Sequence, residues 1–124
     1  MLRVVVGGQI NKEDIAEFTR SFLKDQAIVD VKGDLDAAMA LKGGQYDYYI
    51  GACNTGGGGA LAMAIALVGA EHCATISMPG KIFPDDEIIQ AVEAGKTAFG
   101  FTAQHAENVL PVLLEAIMKK NGGK

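Results

Sequence analysis

Tyr49-Ile50-Gly51-Ala52-Cys53-Asn54-Thr55-Gly56-Gly57-Gly58-Gly59-Ala60, or YIGACNTGGGGA, carries an apolar run into a cysteine and four consecutive glycines. A short run of bulky apolar residues closed by glycine reads as a buried strand, and the apolar sequence after the glycines is long enough for a helix. The stretch is thus a strand, a tight loop and a helix start, the connection from which parallel α/β sheets are built. A helix beginning this way leaves its first backbone amides without internal partners, and glycine lets another group approach them closely.

The same alternation extends in both directions. Leu2 to Val6 is a β-branched strand closed by Gly7-Gly8. Asn11 is a good N-cap before Lys12-Glu13-Asp14, and Ile15, Phe18, Phe22 and Leu23 recur at helical spacing. Ala27 to Val31 is a second strand, and Asp34 caps a helix from Leu35 to Lys42 that Gly43-Gly44 stops. Tyr46 to Ile50 is the third strand, with a helix from about Gly58 to Val68 behind it. Ala74 to Met78 is a fourth strand stopped by Pro79-Gly80, and Pro84 opens a helix that ends at Gly95. Thr97 to Phe101 is a fifth strand, and Ala103 to Lys120 a last helix in which Pro111 should force a kink or a second start.

Strands alternating with helices predict an α/β fold, a three-layer doubly wound parallel sheet of the Rossmann/flavodoxin-like type. The expected order is 2-1-3-4-5, with right-handed crossovers. Residues 1–120 form a single domain in this reading, with 121–124 a flexible tail. In such a sheet ligands bind beyond the carboxyl ends of the strands, where the chain reverses direction. The loops meeting there are Gly7-Gly8-Gln9 and the stretch from Cys53 to Gly59.

Composition narrows the partners. The chain has 124 residues, 49% of them hydrophobic and 21% charged, with a formal charge of -4. No cluster of Lys or Arg offers a field for a nucleic acid or an anionic membrane, so neither partner is expected. The apolar run near Met1 is too short for a signal-peptide core, and residues 60–70 cover about half a membrane span. The expected location is cytoplasmic, in a bacterial style of protein. Cys53 and Cys73 are the only cysteines and His72 and His105 the only histidines, so neither a zinc site nor any other metal or cofactor is expected.

A helix start with its dipole favours an anion, and Asn54 and Thr55 add side-chain donors beside Gly56, Gly57, Gly58 and Gly59. Cys53 in that position could act as acid, base or nucleophile. The alternative for the glycines is close helix–sheet packing, and for Cys53 a small buried apolar spacer. Dinucleotide binding does not fit, because the glycines do not follow the first strand in a GxGxxG pattern. Gly95-Lys96-Thr97 is not a P-loop, since Gln90 stands where the first glycine belongs and Thr97 enters a strand. Lys81, Thr102, Gln104 and His105 follow the fourth and fifth strands and share the same edge. Lys81 could meet an anion, and His105 could serve as base or hydrogen-bond partner.

Cys53-Asn54-Thr55-Gly56-Gly57-Gly58 resembles the Cys-Gly-Thr-Gly-x-Gly loop of B-type ribose-5-phosphate isomerases, which also follows a third strand. The resemblance implies Cys53 as the base that moves a proton and Thr55 to Gly58 as the amides that stabilise an enediolate. This chain has Gly7-Gly8-Gln9 where that family carries an aspartate and histidine signature. A longer resemblance, through Asp36-Ala37-Ala38-Met39, Asp47-Tyr48-Tyr49-Ile50-Gly51-Ala52-Cys53-Asn54-Thr55-Gly56 and Gly95-Lys96 with Ala98-Phe99-Gly100, is to the YhfU-like family of small bacterial proteins. It implies a cytoplasmic α/β protein without an established activity.

The expected function is binding of a small phosphorylated or carboxylated metabolite at the glycine loop, with isomerase-type proton transfer as the enzymatic form. The alternative is a non-catalytic regulatory or transport-associated subunit resembling phosphotransferase-system B components. Ala60 to Val68 is apolar all round, which calls for cover on its outer side. A second copy of the chain would supply it, giving a homo-oligomer with Met63 and Leu67 as contacts.

Overall fold

Strand side chains alternate between two apolar layers, and this sorts each helix to one face of a sheet. The computed structural model describes residues 1–54 and 57–122. Its first half runs β1 (Leu2–Gly8), α1 (Lys12–Leu23), β2 (Ala27–Val31), α2 (Asp34–Lys42), β3 (Tyr48–Cys53) and α3 (Gly57–Val68). The second half runs β4 (Cys73–Thr75), β5 (Ser77–Met78), β6 (Lys81–Ile82), α4 (Asp85–Glu93), β7 (Ala98–Thr102) and α5 (Ala106–Lys120).

The five strands β1, β2, β3, β4 and β7 pair in parallel in the order β2-β1-β3-β7-β4. The doubly wound, flavodoxin-like class expected from the sequence is present. One detail of the expected order 2-1-3-4-5 is corrected, because the fifth parallel strand lies between the third and the fourth. Length and burial account for it. β7 offers five buried residues and pairs all five with β3, from Tyr49 with Ala98 to Cys53 with Thr102. β4 has three residues, two of them half-buried, and suits an edge.

The stretch expected as the end of the fourth strand instead turns away. Ser77–Met78 pairs antiparallel with Lys81–Ile82 around Pro79-Gly80, where Gly80 has φ +76. Proline followed by a positive-φ glycine meets the requirement of a type II turn. β3 also begins later than expected, at Tyr48, and the side chains of Tyr46 and Asp47 before it are engaged with β2 and β1. The Tyr46 hydroxyl donates to Asp30 Oδ2 at 2.7 Å, and Asp47 Oδ2 accepts the Arg3 amide at 2.9 Å.

Helix starts differ from expectation in chemistry at α1 and α2 and in place at α5. Asn11 precedes α1 in the left-handed conformation, φ 56, without a side-chain capping bond. Asp34 is the first residue of α2 and Gly33 its cap. α5 starts at Ala106, after a 3-10 turn over Ala103–His105, and Pro111 lies inside that one helix rather than at a second start. Asn121 is held by bonds from Nδ2 to the Tyr48 hydroxyl at 3.0 Å and to the Ile117 carbonyl at 2.8 Å. Of the expected tail, Gly123 and Lys124 lie outside the described residues.

One apolar layer joins Val4, Val6, Ile50, Phe99 and Phe101 to α1, α4 and α5. The other joins Val5, Tyr49 and Ala98 to Ala37, Ala38 and Leu41 of α2 and to Leu61 and Ala64 of α3. Arg20 of α1 donates through Nη2 to the Val29 carbonyl at 2.9 Å, tying that helix to β2. No described helix is long and apolar enough to cross a membrane.

Tyr49 dominates the second layer. Its ring lies along the sheet over Gly7 and Gly51, which pair with each other in register. A Cβ at Gly7 would stand 2.7 Å from the ring and 2.8 Å from the Ala37 methyl, and one at Gly51 would stand 3.0 Å from the ring. Gly7→Ala should therefore destabilise the fold by about 1–3 kcal/mol through overpacking. Gly33→Ala, with nothing within 4 Å of its Cβ position, should change stability by less than about 1 kcal/mol. Urea denaturation of the two variants checks this, and equal losses would refute the packing argument.

Candidate functional site at the carboxyl edge of the sheet

β1 lies between β2 and β3, so the chain leaves β1 to one side and returns on the other, and the crevice of the sheet opens between the ends of β1 and β3. Gly7 and Gly8 belong to the strand itself, paired with Gly51 and Ala52, rather than to a loop. Gly8 has φ +80, and a Cβ there would stand 2.6 Å from the Ala52 amide nitrogen. Its positive φ and the backbone beside it both require glycine. Beyond it the Gln9 and Ile10 amides donate to the Ala52 carbonyl at 2.9 and 3.4 Å. The exposed Gln9 is thereby fixed against the end of β3.

Cys53 ends β3 and is completely buried. Asn54 follows as an exposed turn residue, Thr55 and Gly56 lie outside the described residues, and Gly57, Gly58 and Gly59 open α3. Three residues thus separate a buried thiol from the first turn of a twelve-residue helix. Cys73 stands at the start of β4, and neither cysteine is in a disulfide. The Cys73 thiol donates to the Gly69 carbonyl at 3.4 Å, and burial raises its pKa.

Thr102, at the end of β7, pairs in register with Cys53 and is 3% exposed. Its amide donates to the buried Ser77 Oγ at 2.9 Å, while its own Oγ1 is buried without a hydrogen-bond partner among the described residues. Leaving such a group unpaired costs about 1–3 kcal/mol. Register with Cys53 puts the two side chains on the same face of the sheet, the face that α3 covers.

The Tyr49 hydroxyl reaches the same edge. It is 2.7 Å from Asp34 Oδ1, in the first turn of α2, and 2.7 Å from the Ala60 carbonyl in α3. Burial, then the hydrogen bond to Asp34 and its charge, raise the phenol pKa well above its ordinary value, with the Gly8 amide acting the other way.

The remaining expected residues sit farther out. Lys81 is exposed on the β5–β6 hairpin, with Nζ 5.1 Å from the centre of the Phe83 ring. His105 caps α5, which belongs to the layer opposite α3, and its Nδ1 is buried without a partner. Gln104 lines a groove of about 390 Å³ with Asn11, Asp14 and Glu107, where α1 and α5 begin. A wider groove of about 550 Å³ between α4 and α5 is lined by Asp85, Glu93, Glu115 and Lys119, among others. Those are helix-surface side chains of both signs, on α4 and α5.

Cys53, Asn54, Gly57 to Gly59 and Thr102 are thus brought together by β3, α3 and β7, whereas Lys81 stands on the β5–β6 hairpin and His105 at the start of α5. Sequence reasoning missed Tyr49, Asp34 and Ser77. A tyrosine inside a buried strand has to place its hydroxyl somewhere, and the glycine two residues on, on the same face, was the available signal.

The comparisons with known proteins agree with this architecture. The chain is 40% identical over 114 residues to "Uncharacterized protein YhfU" of Escherichia coli (strain K12), covering 92% of this chain and 97% of that one, with the same figures for the Shigella flexneri protein. Among solved structures it is similar to ribose-5-phosphate isomerase B from Giardia lamblia, with TM-score 0.69 and 18% identity over 94% of this chain and 93% of that one. The Thermotoga maritima ribose 5-phosphate isomerase gives TM-score 0.60 and 14% identity over 94% and 85%. At those identities the likeness is one of fold. The family model described as "Protein of unknown function DUF2620" matches residues 2–117, and the chain belongs to that family.

Proposed function

We propose that the protein is a cytoplasmic metabolite-binding domain that holds a small phosphorylated or carboxylated ligand at residues 53–59 and acts on it by sugar-phosphate isomerase-type proton transfer. The observation that carries the reading is the coincidence of Cys53, the start of α3 and the unpaired Thr102 hydroxyl beyond the strand ends. The first amides of α3 lack internal partners and, with the helix dipole, favour the anion. Asn54, Gly7, Gly8 and Gln9 close the crevice from the β1 side, and Thr55 and Gly56 complete the loop. Lys81 and His105 contribute from its rim. Cys53 takes a proton from the carbon beside a carbonyl, the loop amides stabilise the enediolate, and the proton returns to the neighbouring carbon. The fold shared with two ribose-5-phosphate isomerases supports this choice of chemistry.

The protein also acts as a homo-oligomer through α3. This helix carries no acidic residue in its first turn and no basic residue in its last, and Met63 and Ile65 remain 37% and 41% exposed. Exposed Leu35 and Met39 on the adjacent α2 extend the same apolar surface. A second copy covers it without placing like charges in contact.

Four measurements test these readings. Inorganic phosphate or ribose 5-phosphate should raise the melting temperature, by the equivalent of about 2.7 kcal/mol at a hundred times its dissociation constant. The same ligand should slow iodoacetamide labelling of Cys53 without altering that of Cys73, and Cys53→Ala should lower any ribose 5-phosphate isomerisation by about 10²-fold or more. Binding without turnover would reduce the function to that of a non-catalytic subunit, and no shift with any phosphorylated or carboxylated metabolite would end the ligand reading. Separately, light scattering should give a mass at least twice that of one chain, with Met63→Lys returning it to one. A monomeric wild type would refute the oligomer.

A further inference from the structure

Tyr49 has a geometry that packing alone does not require. Its ring fills the space over Gly7 and Gly51 and carries the hydroxyl to the edge of the sheet. There the oxygen lies 2.7 Å from both Asp34 Oδ1 and the Ala60 carbonyl, one partner from each helix of that layer. Ala60 directly follows the glycines that open α3, and Cys53 ends the strand on which Tyr49 stands. Tyr49 and Cys53, four residues apart, face the same side of the sheet. A phenylalanine would fill the same volume without reaching either oxygen.

We infer that Tyr49 is the positioning residue for the start of α3, its hydroxyl fixing the first turn of that helix to Asp34 of α2 on the face of the sheet that Cys53 shares. The inference rests on the reading of residues 53–59 as the ligand site for its functional meaning, but its physical content is a local one. A hydroxyl with a single hydrogen and two acceptors at equal distance joins three elements through one atom. Asp34, half-buried, is the outer member of the chain and Ala60 the inner one. Removing the hydroxyl leaves the ring packed but releases α3 at its first turn, so the start of that helix opens more often than the rest of the fold.

Iodoacetamide labelling of the two cysteines, followed peptide by peptide under native conditions, reads this opening. Tyr49→Phe should accelerate Cys53 labelling by about five- to tenfold, the effect of one net hydrogen bond on a local opening equilibrium, and leave Cys73 unchanged. Asp34→Asn keeps an oxygen that accepts from the phenol and should restore a near-wild-type rate, whereas Asp34→Ala should not. Leu114→Ala, in the opposite apolar layer, is the control for general destabilisation and should leave the Cys53 rate alone while lowering the melting temperature. Equal acceleration in Tyr49→Phe and Leu114→Ala, or none in Tyr49→Phe, would overturn the positioning role. Phosphate protection of Cys53 in the wild type separates the two readings. Without it the ligand reading fails while the rate comparison still decides the role of Tyr49.

Discussion

The structure turns on a phenol that has no access to water. Tyr49 is fully buried in the strand at the centre of the sheet, and a hydroxyl there must find partners inside the protein. It finds them by lying along the sheet instead of standing upright from it. That posture makes Gly7 and Gly51 obligatory, because any side chain at either position would occupy the space of the ring. It also sets where α2 and α3 can begin, since Asp34 and the Ala60 carbonyl must both reach one oxygen. Two glycines, one tyrosine and one aspartate in three different elements thus answer to a single requirement for a buried hydrogen bond.

The consequences run to the edge where the ligand is proposed to bind. With Gly8 in a positive-φ conformation, β1 ends abruptly and the next two amides turn onto the Ala52 carbonyl. The ends of β1 and β3 are therefore laced together just before Cys53. On the other side β7 closes against β3 through five registered pairs, the last of which sets Thr102 beside Cys53. Ser77, at the start of the hairpin, takes the Thr102 amide, which explains why the chain leaves the parallel sheet there. A strand continuing through Met78 would have offered a backbone ladder, whereas the hairpin offers a buried side-chain acceptor and presents Lys81 on its outer strand.

Much of this was legible from local pattern. β2 has the expected limits, and the glycine run opens a helix as its position after a buried strand implied. Sequence could not show that β7 takes the inner place, because the order of parallel strands is set by which partner offers more buried pairs. Nor could it show the conformation of Asn11, whose residue type suits a cap whether or not its side chain makes the bond. Gly7 and Gly8 were read as part of a loop because glycine is common in loops. Their need comes from contacts with Tyr49, more than forty residues away, and with the backbone of β3. Local pattern sees the residue type, while the contact that demands it is tertiary.

The two readings of the glycine loop, close packing and anion binding, need not compete. Packing already accounts for Gly7, Gly8 and Gly51 through named atoms, so those positions cannot also be counted as independent support for a ligand. The glycines that open α3 precede Ala60, whose carbonyl is engaged by Tyr49. That bond anchors the helix without using the amides at its start. A buried Thr102 hydroxyl with no partner among the described residues is the opposite situation, a destabilising feature that packing does not explain. The case for a ligand therefore rests on the Thr102 hydroxyl and the amides that open α3, and the glycines within the strands belong to Tyr49.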